Sequence, residues 1–308
     1  MRQAIRAEEA GFDFVEISDH FHPWLESQGH SPFAWPVLGA IAAKTERIGL
    51  ATGVTCPTVR YHPAVIAQAA ATVAVMSEGR FTLGVGSGER LNEHVVGPGF
   101  GESVKTRQSM LREAMEIIKL LWQGGYRSYV GAHYEVASAR IFDLPEEPPK
   151  IAVAAGGPGA ARLAAELGDG LFTTEPDADL VRAYREAGGD GPRYAEMTLA
   201  YAPDQQTAVK AAMETTRWSV LGWGVLPELP LPKSFEAASA TVREEDLLES
   251  FPCGPEAGPI IEAARPYLEA GMDRLALMNC GPDPDAFFDF YKDRLDGRLR
   301  GLAKEITS

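Results

Sequence analysis

Apolar and polar positions repeat along the chain with two alternating periods, one close to two residues and one close to 3.6. Short apolar runs rich in β-branched residues therefore alternate with longer amphipathic segments, of which residues 102–122 are the clearest. The pattern predicts strands at residues 12–17, 48–54, 80–85, 150–154, 170–174, 197–201 and 272–278. It predicts helices at residues 2–10, from after Pro36 to about Arg47, and at 63–76, 102–122, 158–167, 177–187, 204–220, 257–270 and 283–297.

Repeated strand-then-helix units predict a parallel sheet with helices outside it. Seven strands can be counted, whereas a closed (β/α)8 TIM barrel has eight. Since the chain starts on a helix that would normally follow the first strand, the expected fold is a TIM barrel whose first strand is missing from this chain. A doubly wound open sheet is the alternative. We expect a single domain over 1–308, with a β excursion at 126–142 and a Pro-rich segment of unclear structure at 223–256.

Composition and charge limit the classes of partner. The 308 residues are 45% hydrophobic and 23% charged, which is typical of a soluble globular protein. With 29 basic and 43 acidic residues the net charge is −14, which argues against a nucleic-acid or anionic-membrane partner. Any phosphate must then be held locally, by backbone N–H groups or a few arginines.

Cysteine usage and the first residues point to the cytoplasm. Cys56, Cys253 and Cys280 form no CxxC pair, which suggests a reducing compartment and no structural zinc. The amphipathic, soon acidic start is unlike a signal peptide, and no apolar run is long enough to span a membrane. The histidines form no HExxH motif and no serine elbow is present, so we expect neither a metal site nor serine hydrolase chemistry.

The first predicted strand runs into the sequence SDHFHPW at residues 18–24. In a barrel the reactive side chains follow the carboxyl ends of the strands, and an imidazole there can take a proton from a substrate hydroxyl while a carboxylate orients it. The alternative is that Asp19 caps a turn and that His20 and His22 are ordinary loop residues. We favour a functional His20 and a structural His22. Trp24 either forms the wall of a flat ligand site or plugs the barrel mouth.

Two glycine clusters follow later strands, GVGSGE at 84–89 and AAGGPG at 154–159. Glycines let the backbone approach a ligand closely, and the second cluster opens a helix whose dipole favours an anion. Together they suggest an elongated, phosphate-bearing cofactor; two tight strand-to-helix turns are the alternative. Glu89 stands where a general acid could face the barrel centre, or it forms a surface salt bridge.

The three runs at 18–24, 84–93 and 151–158 together resemble the luciferase-like barrel oxidoreductases that use the deazaflavin coenzyme F420. Within that class the chain is most similar to the F420-dependent glucose-6-phosphate dehydrogenase group, over almost its whole length. The resemblance implies a hydride passed between a substrate alcohol or carbonyl carbon and the deazaflavin ring. It implies His20 as the base, Glu89 as the acid beside N1 of the ring, and Trp24 at the reacting centre.

The same resemblance implies a set of coenzyme contacts and a non-proline cis peptide between Gly53 and Val54. The implied contacts are Asp19, Gly53, Val54, Gly86, Ser87, Gly88, Asn92, Ala154, Ala155, Gly156, Gly157 and Thr174.

The chain departs from this family in ways that bear on the substrate. The glutamate of the family's first strand is absent with that strand. The lysine expected shortly after Thr174 is replaced by EPD at 175–177, and no lysine lies between Lys233 and Lys292. Arg274 is either a remnant anion contact or part of an exposed turn. Because an acidic pocket repels a phosphorylated sugar, we expect that glucose 6-phosphate is not the substrate.

Three functional hypotheses follow from the sequence. The first is an F420-dependent oxidoreductase acting on a small-molecule alcohol or carbonyl. The second is an FMN-dependent monooxygenase of the same superfamily, and the third is a non-catalytic barrel or partner subunit. A homodimer through the apolar helices 63–76 and 103–122 is an open expectation, since packing against the barrel explains their apolar faces equally well.

Overall fold

A computed structural model describes residues 1–97, 100 and 103–307. The strands in this part of the chain are β1 (Phe14–Ile17), β2 (Gly49–Thr52), β3 (Phe81–Val85), β4 (Arg127–Val130), β5 (Glu135–Ala139), β6 (Lys150–Ala154), β7 (Gly170–Thr173), β8 (Arg193–Leu199) and β9 (Arg274–Asn279). The α-helices are α1 (Arg2–Ala10), α2 (Ala34–Ala42), α3 (Pro63–Met76), α4 (Arg90–Glu93), α5 (Val104–Trp122), α6 (Pro158–Leu167), α7 (Ala178–Glu186), α8 (Gln205–Thr215), α9 (Pro232–Ala238), α10 (Glu244–Ser250), α11 (Ala257–Glu269), α12 (Pro284–Phe290) and α13 (Asp296–Thr307).

Seven parallel strands form a nearly closed barrel in the order β1-β2-β3-β6-β7-β8-β9. The strand order follows the chain without reversal, whereas a doubly wound sheet reverses direction at a switch point. The TIM-barrel prediction is therefore confirmed, and the doubly wound alternative is wrong. In the described residues β1 and β9 lie side by side without strand pairing, and both line a cavity of about 630 Å³.

Side-chain alternation separates the barrel interior from the helical shell. On β6, Ile151 and Val153 are fully buried in the core shared with the helices, so Ala152 and Ala154 point inward. On β8, Met197 and Leu199 pack outward against α11 and α12, which turns Glu196 to the interior. The inner face at β2, β3 and β6 consists of small residues, and the strands deliver the residues that follow them to one end of the barrel.

Several predicted element bounds are wrong. Strand β8 begins at Arg193 rather than at 197, because the side chain of Asp273 accepts hydrogen bonds from the Arg193 backbone (3.0 Å) and guanidinium (2.6 Å). Helix α2 starts at Ala34 and ends at Ala42, well before Arg47. The Arg80 guanidinium binds the Ala42 carbonyl oxygen at its end and the Thr45 and Ile48 carbonyl oxygens in the segment after it.

The ends of two other predicted helices also differ. The helix predicted from Glu102 begins at Val104, where the Ser103 hydroxyl accepts from the Thr106 amide (3.1 Å), and Glu102 lies outside the described residues. The helix predicted to end at 297 passes through a wide π-helical turn at Tyr291–Leu295 and continues in α13.

The two segments outside the regular strand–helix alternation, residues 126–142 and 223–256, have defined structures. β4 and β5 form a separate antiparallel hairpin, as the β excursion at 126–142 predicts. Its Tyr134 hydroxyl donates to the Thr58 carbonyl (2.8 Å), which ties the hairpin to the barrel. The Pro-rich segment contains α9 and α10, and Phe235 of α9 is fully buried. No helix in the described part of the chain is both long and apolar enough to cross a membrane.

Candidate active site

The side chains of His20 and Glu89 meet at the carboxyl ends of β1 and β3. Nε2 of His20 lies 2.8 Å from Oε1 of Glu89. The His20 side chain is 16% exposed and the Glu89 side chain 14%. They come from segments separated by the whole of β2 and α3, so the barrel and not the local sequence brings them together. The pair can hold a proton on either partner and retains access from the barrel mouth.

Asn92 of α4 connects Glu89 to the loop after β1. Its Nδ2 donates to Oε1 of Glu89 (2.8 Å), while its Oδ1 accepts from the backbone amides of Phe21 (2.7 Å) and His22 (3.2 Å). Nδ1 of His22 donates to the Leu91 carbonyl (3.1 Å), which agrees with a structural role for this histidine. Asn92 therefore fixes Glu89 relative to the loop that carries His20.

Asp19 lies beneath this loop and is 2% exposed. Its carboxylate accepts hydrogen bonds from Trp35 Nε1 (3.2 Å), Thr55 Oγ1 (3.0 Å), Tyr61 OH (2.9 Å) and the Arg60 guanidinium (3.2 Å). Arg60 also binds the Asp19 carbonyl oxygen. The network anchors the residue immediately before His20 to the start of the segment after β2.

Aromatic side chains enclose His20. The Trp24 ring meets the His20 ring edge-on, with centroids 5.0 Å apart, and stacks on Trp218 at 4.2 Å. Trp223 lies 6.5 Å from Trp24, and its Nε1 donates to the Thr174 hydroxyl (2.7 Å). Trp24 thus forms both a wall beside His20 and part of a packed cluster with the 217–235 region.

The glycines after β3 lie where the ends of β2, β3 and β6 meet. A Cβ atom at Gly86 would be 2.8 Å from Cγ2 of Val54 and 3.5 Å from the Cβ of Ala154. The peptide bond between Gly53 and Val54 is cis, as the resemblance implies. Three groups of predicted coenzyme contacts, from three strands, therefore line one surface.

The remaining predicted contacts lie further round the same end of the barrel. Gly88 has a φ of 84°, while a Cβ at Gly156 or Gly157 would meet nothing within 4 Å. The backbone at 156–157 is therefore open to a ligand, and Ala155 beside it is buried. Ser87 stands between the two glycines of the first cluster, and no contact places it more closely.

The segment after β7 is acidic, and Thr174 at its start already accepts hydrogen bonds from other side chains. Thr174 accepts from Trp223 through its hydroxyl and from Tyr267 through its carbonyl (3.2 Å), and Glu175 after it is exposed. Arg274 begins β9 at the opposite, amino end of the barrel and is exposed, which fits the exposed-turn interpretation.

Three carboxyl groups near the site have raised pKa values: Glu93 is buried, while Glu16 and Glu196 are half-buried in the wall of the cavity between β1 and β9. Burial, together with the neighbouring Glu196, raises the pKa of Glu16 well above its usual range. Burial also raises the pKa of Glu196, although its hydrogen bond with Glu16 and the charge of His20 oppose this. Burial raises the pKa of Glu93 to about 7, even though the Arg60 amide and guanidinium favour the carboxylate.

Sequence reasoning missed these carboxyl groups and the two tryptophans that enclose Trp24. Glu16 does carry a signal, since it is the one charged residue of the apolar strand β1, and Glu196 is the one acidic residue of β8. Trp218 and Trp223 carry none, because their segment has neither strand nor helix periodicity.

Comparison with known proteins shows to which family the chain belongs. The family model of the luciferase-like monooxygenases matches residues 1–274. The chain is 37% identical over 317 residues to an F420-dependent glucose-6-phosphate dehydrogenase of Nocardia farcinica, covering 97% of this chain and 93% of that protein. It belongs to the luciferase-like family, and the similarity that the sequence motifs indicate to the F420-dependent glucose-6-phosphate dehydrogenases is confirmed.

Solved structures agree with this placement. An F420-dependent secondary alcohol dehydrogenase in complex with an F420-acetone adduct superimposes with a TM-score of 0.88 at 30% identity, covering 97% of this chain and 94% of that one. The F420-dependent tetrahydromethanopterin reductase of Methanopyrus kandleri gives a TM-score of 0.75 at 20% identity, covering 97% and 95%, and shows the shared fold alone.

Proposed function

We propose that this protein is an F420-dependent oxidoreductase that transfers a hydride between the carbon of a neutral alcohol or carbonyl and the deazaflavin coenzyme. The observation that carries the proposal is the contact of His20 Nε2 with Glu89 Oε1 at 2.8 Å, at the barrel end where the glycine clusters lie. When bound, the deazaflavin supplies a carbon that accepts or donates a hydride.

The residues at this end of the barrel fit such a coenzyme. A Cβ at Gly86 would lie 2.8 Å from Cγ2 of Val54, so glycine lets the segment after β3 pack closely against the Gly53–Val54 peptide, beside which the planar ring would lie. The open backbone at Gly156 and Gly157 precedes the amino end of α6, which favours an anionic group. The two clusters offer a flat surface and an anion-binding end to one elongated ligand.

The protein's own residues would handle the protons. His20 accepts the proton of the substrate hydroxyl as the carbon loses its hydride, and returns it in the reverse reaction. Glu89 holds a proton for the coenzyme side and exchanges it with His20 through their hydrogen bond. Trp24 and Trp218 exclude water from one side of this pair, which keeps the transfer between the bound groups.

The substrate pocket favours a neutral molecule over a sugar phosphate. Glu175 and Asp177 follow β7, the Thr174 hydroxyl is bonded to Trp223, and Arg274 lies at the far end of the barrel. Arg60 and Arg90, the arginines nearest the two catalytic segments in sequence, are paired with carboxylates. Acidic and aromatic surroundings disfavour a dianion and accommodate an apolar alcohol.

Coenzyme binding tests the first half of the proposal. Purified protein is titrated with F420 and, separately, with FMN, and bound coenzyme is followed by fluorescence. We expect saturable binding of F420 and much weaker binding of FMN. Saturable binding of FMN without binding of F420 would instead identify an FMN-dependent monooxygenase.

Turnover with paired substrates tests the second half. The protein is supplied with F420 and either glucose 6-phosphate or a neutral secondary alcohol, and coenzyme reduction is recorded by absorbance. We expect kcat/KM for the neutral alcohol to exceed that for the sugar phosphate by at least about 10²-fold, the discrimination that an uncompensated buried charge produces. Comparable values for both would refute the exclusion of phosphate.

A further inference from the structure

Glu16 and Glu196 lie in one layer of side chains inside the barrel. Two residues earlier on the same strands, the rings of Phe14 and Tyr194 touch edge-to-face with centroids 5.8 Å apart. Because side chains on one face of a strand recur every second residue, the next inward pair is Glu16 and Glu196. Their carboxyl groups lie within hydrogen-bonding distance of each other.

Apart from Glu196, the neighbours of Glu16 offer few hydrogen-bond partners to its carboxyl group. Ala51 is its register partner on β2, and a Cβ at Gly53 would be 2.9 Å from its Cδ, so a side chain there would displace the carboxyl group from its present position. Oε1 of Glu16 is buried and accepts no hydrogen bond from the described residues. Ala276 is the register partner of Glu196.

Two ionised carboxylates cannot hydrogen-bond each other, because each is only an acceptor. In the wall of the cavity between β1 and β9, where most of the neighbouring side chains are apolar, two like charges in contact are also unfavourable, and one proton shared between them removes both problems. We propose that Glu16 and Glu196 hold one proton between them at neutral pH and are positioning residues that place a single negative charge beneath His20.

The groups that face the pair fit this assignment. His20, on the loop that continues β1, interacts electrostatically with Glu196, and a carboxylate there stabilises positive charge on the imidazole ring. Burial, together with the charges of Glu175 and Glu196, raises the pKa of Tyr267 to about 12, so its hydroxyl, which donates to the Thr174 carbonyl (3.2 Å), is neutral. Asp273 and Arg300 line the same cavity from the amino ends of the strands.

The role of the pair depends on the proposed function, because His20 needs this charge only while it carries a proton taken from substrate. A single charge stabilises the imidazolium in the same sense as the buried carboxylate of a catalytic triad. The shared proton itself is a property of the coenzyme-free protein.

Proton counting on the protein without coenzyme tests the shared proton. The unfolding equilibrium is measured by urea denaturation across the pH range from about 5 to 8 for the wild type, Glu16→Gln and Glu196→Gln. A folded state that keeps a proton which the unfolded chain releases loses stability as pH rises. The wild-type unfolding constant should therefore increase about tenfold more per pH unit than that of either variant.

Infrared spectroscopy provides a second readout. At neutral pH the wild type should show the carbonyl stretching band of a protonated carboxylic acid, and the band should lose intensity in Glu16→Gln and in Glu196→Gln. Glu93 contributes equally to all three proteins, so the difference reports the pair. Parallel stability curves and an unchanged band would overturn the shared proton.

Turnover of the double variant tests the positioning role. In either single variant one carboxylate remains, whereas Glu16→Gln with Glu196→Gln removes the charge altogether. We expect hydride transfer in the double variant to be slower than in either single variant by roughly 10- to 100-fold, the effect of one charge about 6 to 12 Å away at an effective dielectric constant near 20. Equal rates would refute this role. If F420 does not bind at all, the proposed function fails, while the proton count still decides the shared proton.

Discussion

Asp19 accepts hydrogen bonds from four protein donors and its side chain is fully inaccessible. The resemblance implies a coenzyme contact for this residue, and that role stays a prediction. The contacts support a different contribution, which is to hold the backbone before His20 in place. Removing this buried acceptor would leave the hydroxyl groups of Thr55 and Tyr61 without the carboxylate to which they donate, at a cost of about 1–3 kcal/mol for each unsatisfied group.

Glu93 gives the stability of the protein a pH dependence that can be measured. Its pKa is raised by burial to about 7 from 4.5, and the residue is 1% exposed. Between these values the unfolded chain releases a proton that the folded protein keeps, so the stability decreases as pH rises through this range and is constant above it.

The substitution Glu93→Gln should remove this pH dependence. Relative to the variant, the wild type should lose on the order of 3 kcal/mol of unfolding free energy between about pH 4.5 and 7. Urea denaturation at several pH values measures the difference, and circular dichroism at neutral pH checks that the variant is folded. Wild-type and variant curves that run parallel would show that Glu93 ionises at its ordinary pH.

The turns at Gly88 and Gly156 differ in the space that they leave for a side chain. Gly88 has a φ of 84°, and a Cβ there would lie 2.5 Å from Sγ of the buried Cys56. We expect Gly88→Ala to lower the free energy of unfolding by about 2–4 kcal/mol, from left-handed strain and overpacking together. Thermal or urea denaturation of the protein without coenzyme measures this loss.

Gly156→Ala is the matched control, because its Cβ would meet nothing within 4 Å. We expect its stability to stay within about 1 kcal/mol of the wild type, while its affinity for F420 falls as the methyl group occupies the open surface. A stable variant with unchanged affinity would place the coenzyme away from residues 156–157. Equal stability of both variants would contradict the difference between the two turns.

At the scale of the elements, strong sequence periodicity was sufficient to predict the bounds of a helix or strand, and weak periodicity was not. The helix at 63–76 is found with the predicted bounds, since Pro63 starts it and one face of apolar residues is buried. The predicted start of β8 is too late because its inward residues, Tyr194 and Glu196, interrupt the apolar pattern that is typical of a buried strand. The 3₁₀ helix at Arg217–Leu221, which carries Trp218, has no sequence period at all.

At the scale of the whole molecule, the barrel explains which site residues sequence could find. His20, Glu89 and Asn92 follow strand ends in recognisable motifs, and the parallel sheet necessarily gathers such residues at one end. Contacts between distant segments, such as Glu16 with Glu196 or Trp24 with Trp218, depend on the closure of the barrel. No local pattern encodes them.

The homodimer expected from the apolar helices stays a prediction. α3 presents Val65, Val75 and Met76 to the surface, each at least 45% exposed. Both α3 and α5 also bury apolar faces against the barrel, which accounts for most of their hydrophobic residues.

Hydride transfer in the His20→Ala variant tests the central claim most directly. Reduction of bound F420 by a neutral secondary alcohol is followed by stopped-flow absorbance for the wild type, His20→Ala and the control His22→Ala, with the affinity for F420 measured for each. Loss of the base should slow the transfer by roughly 10²- to 10⁴-fold without loss of coenzyme binding, and His22→Ala should stay close to the wild type. Undiminished transfer in His20→Ala, or bound F420 that no alcohol reduces even in the wild type, would contradict the account.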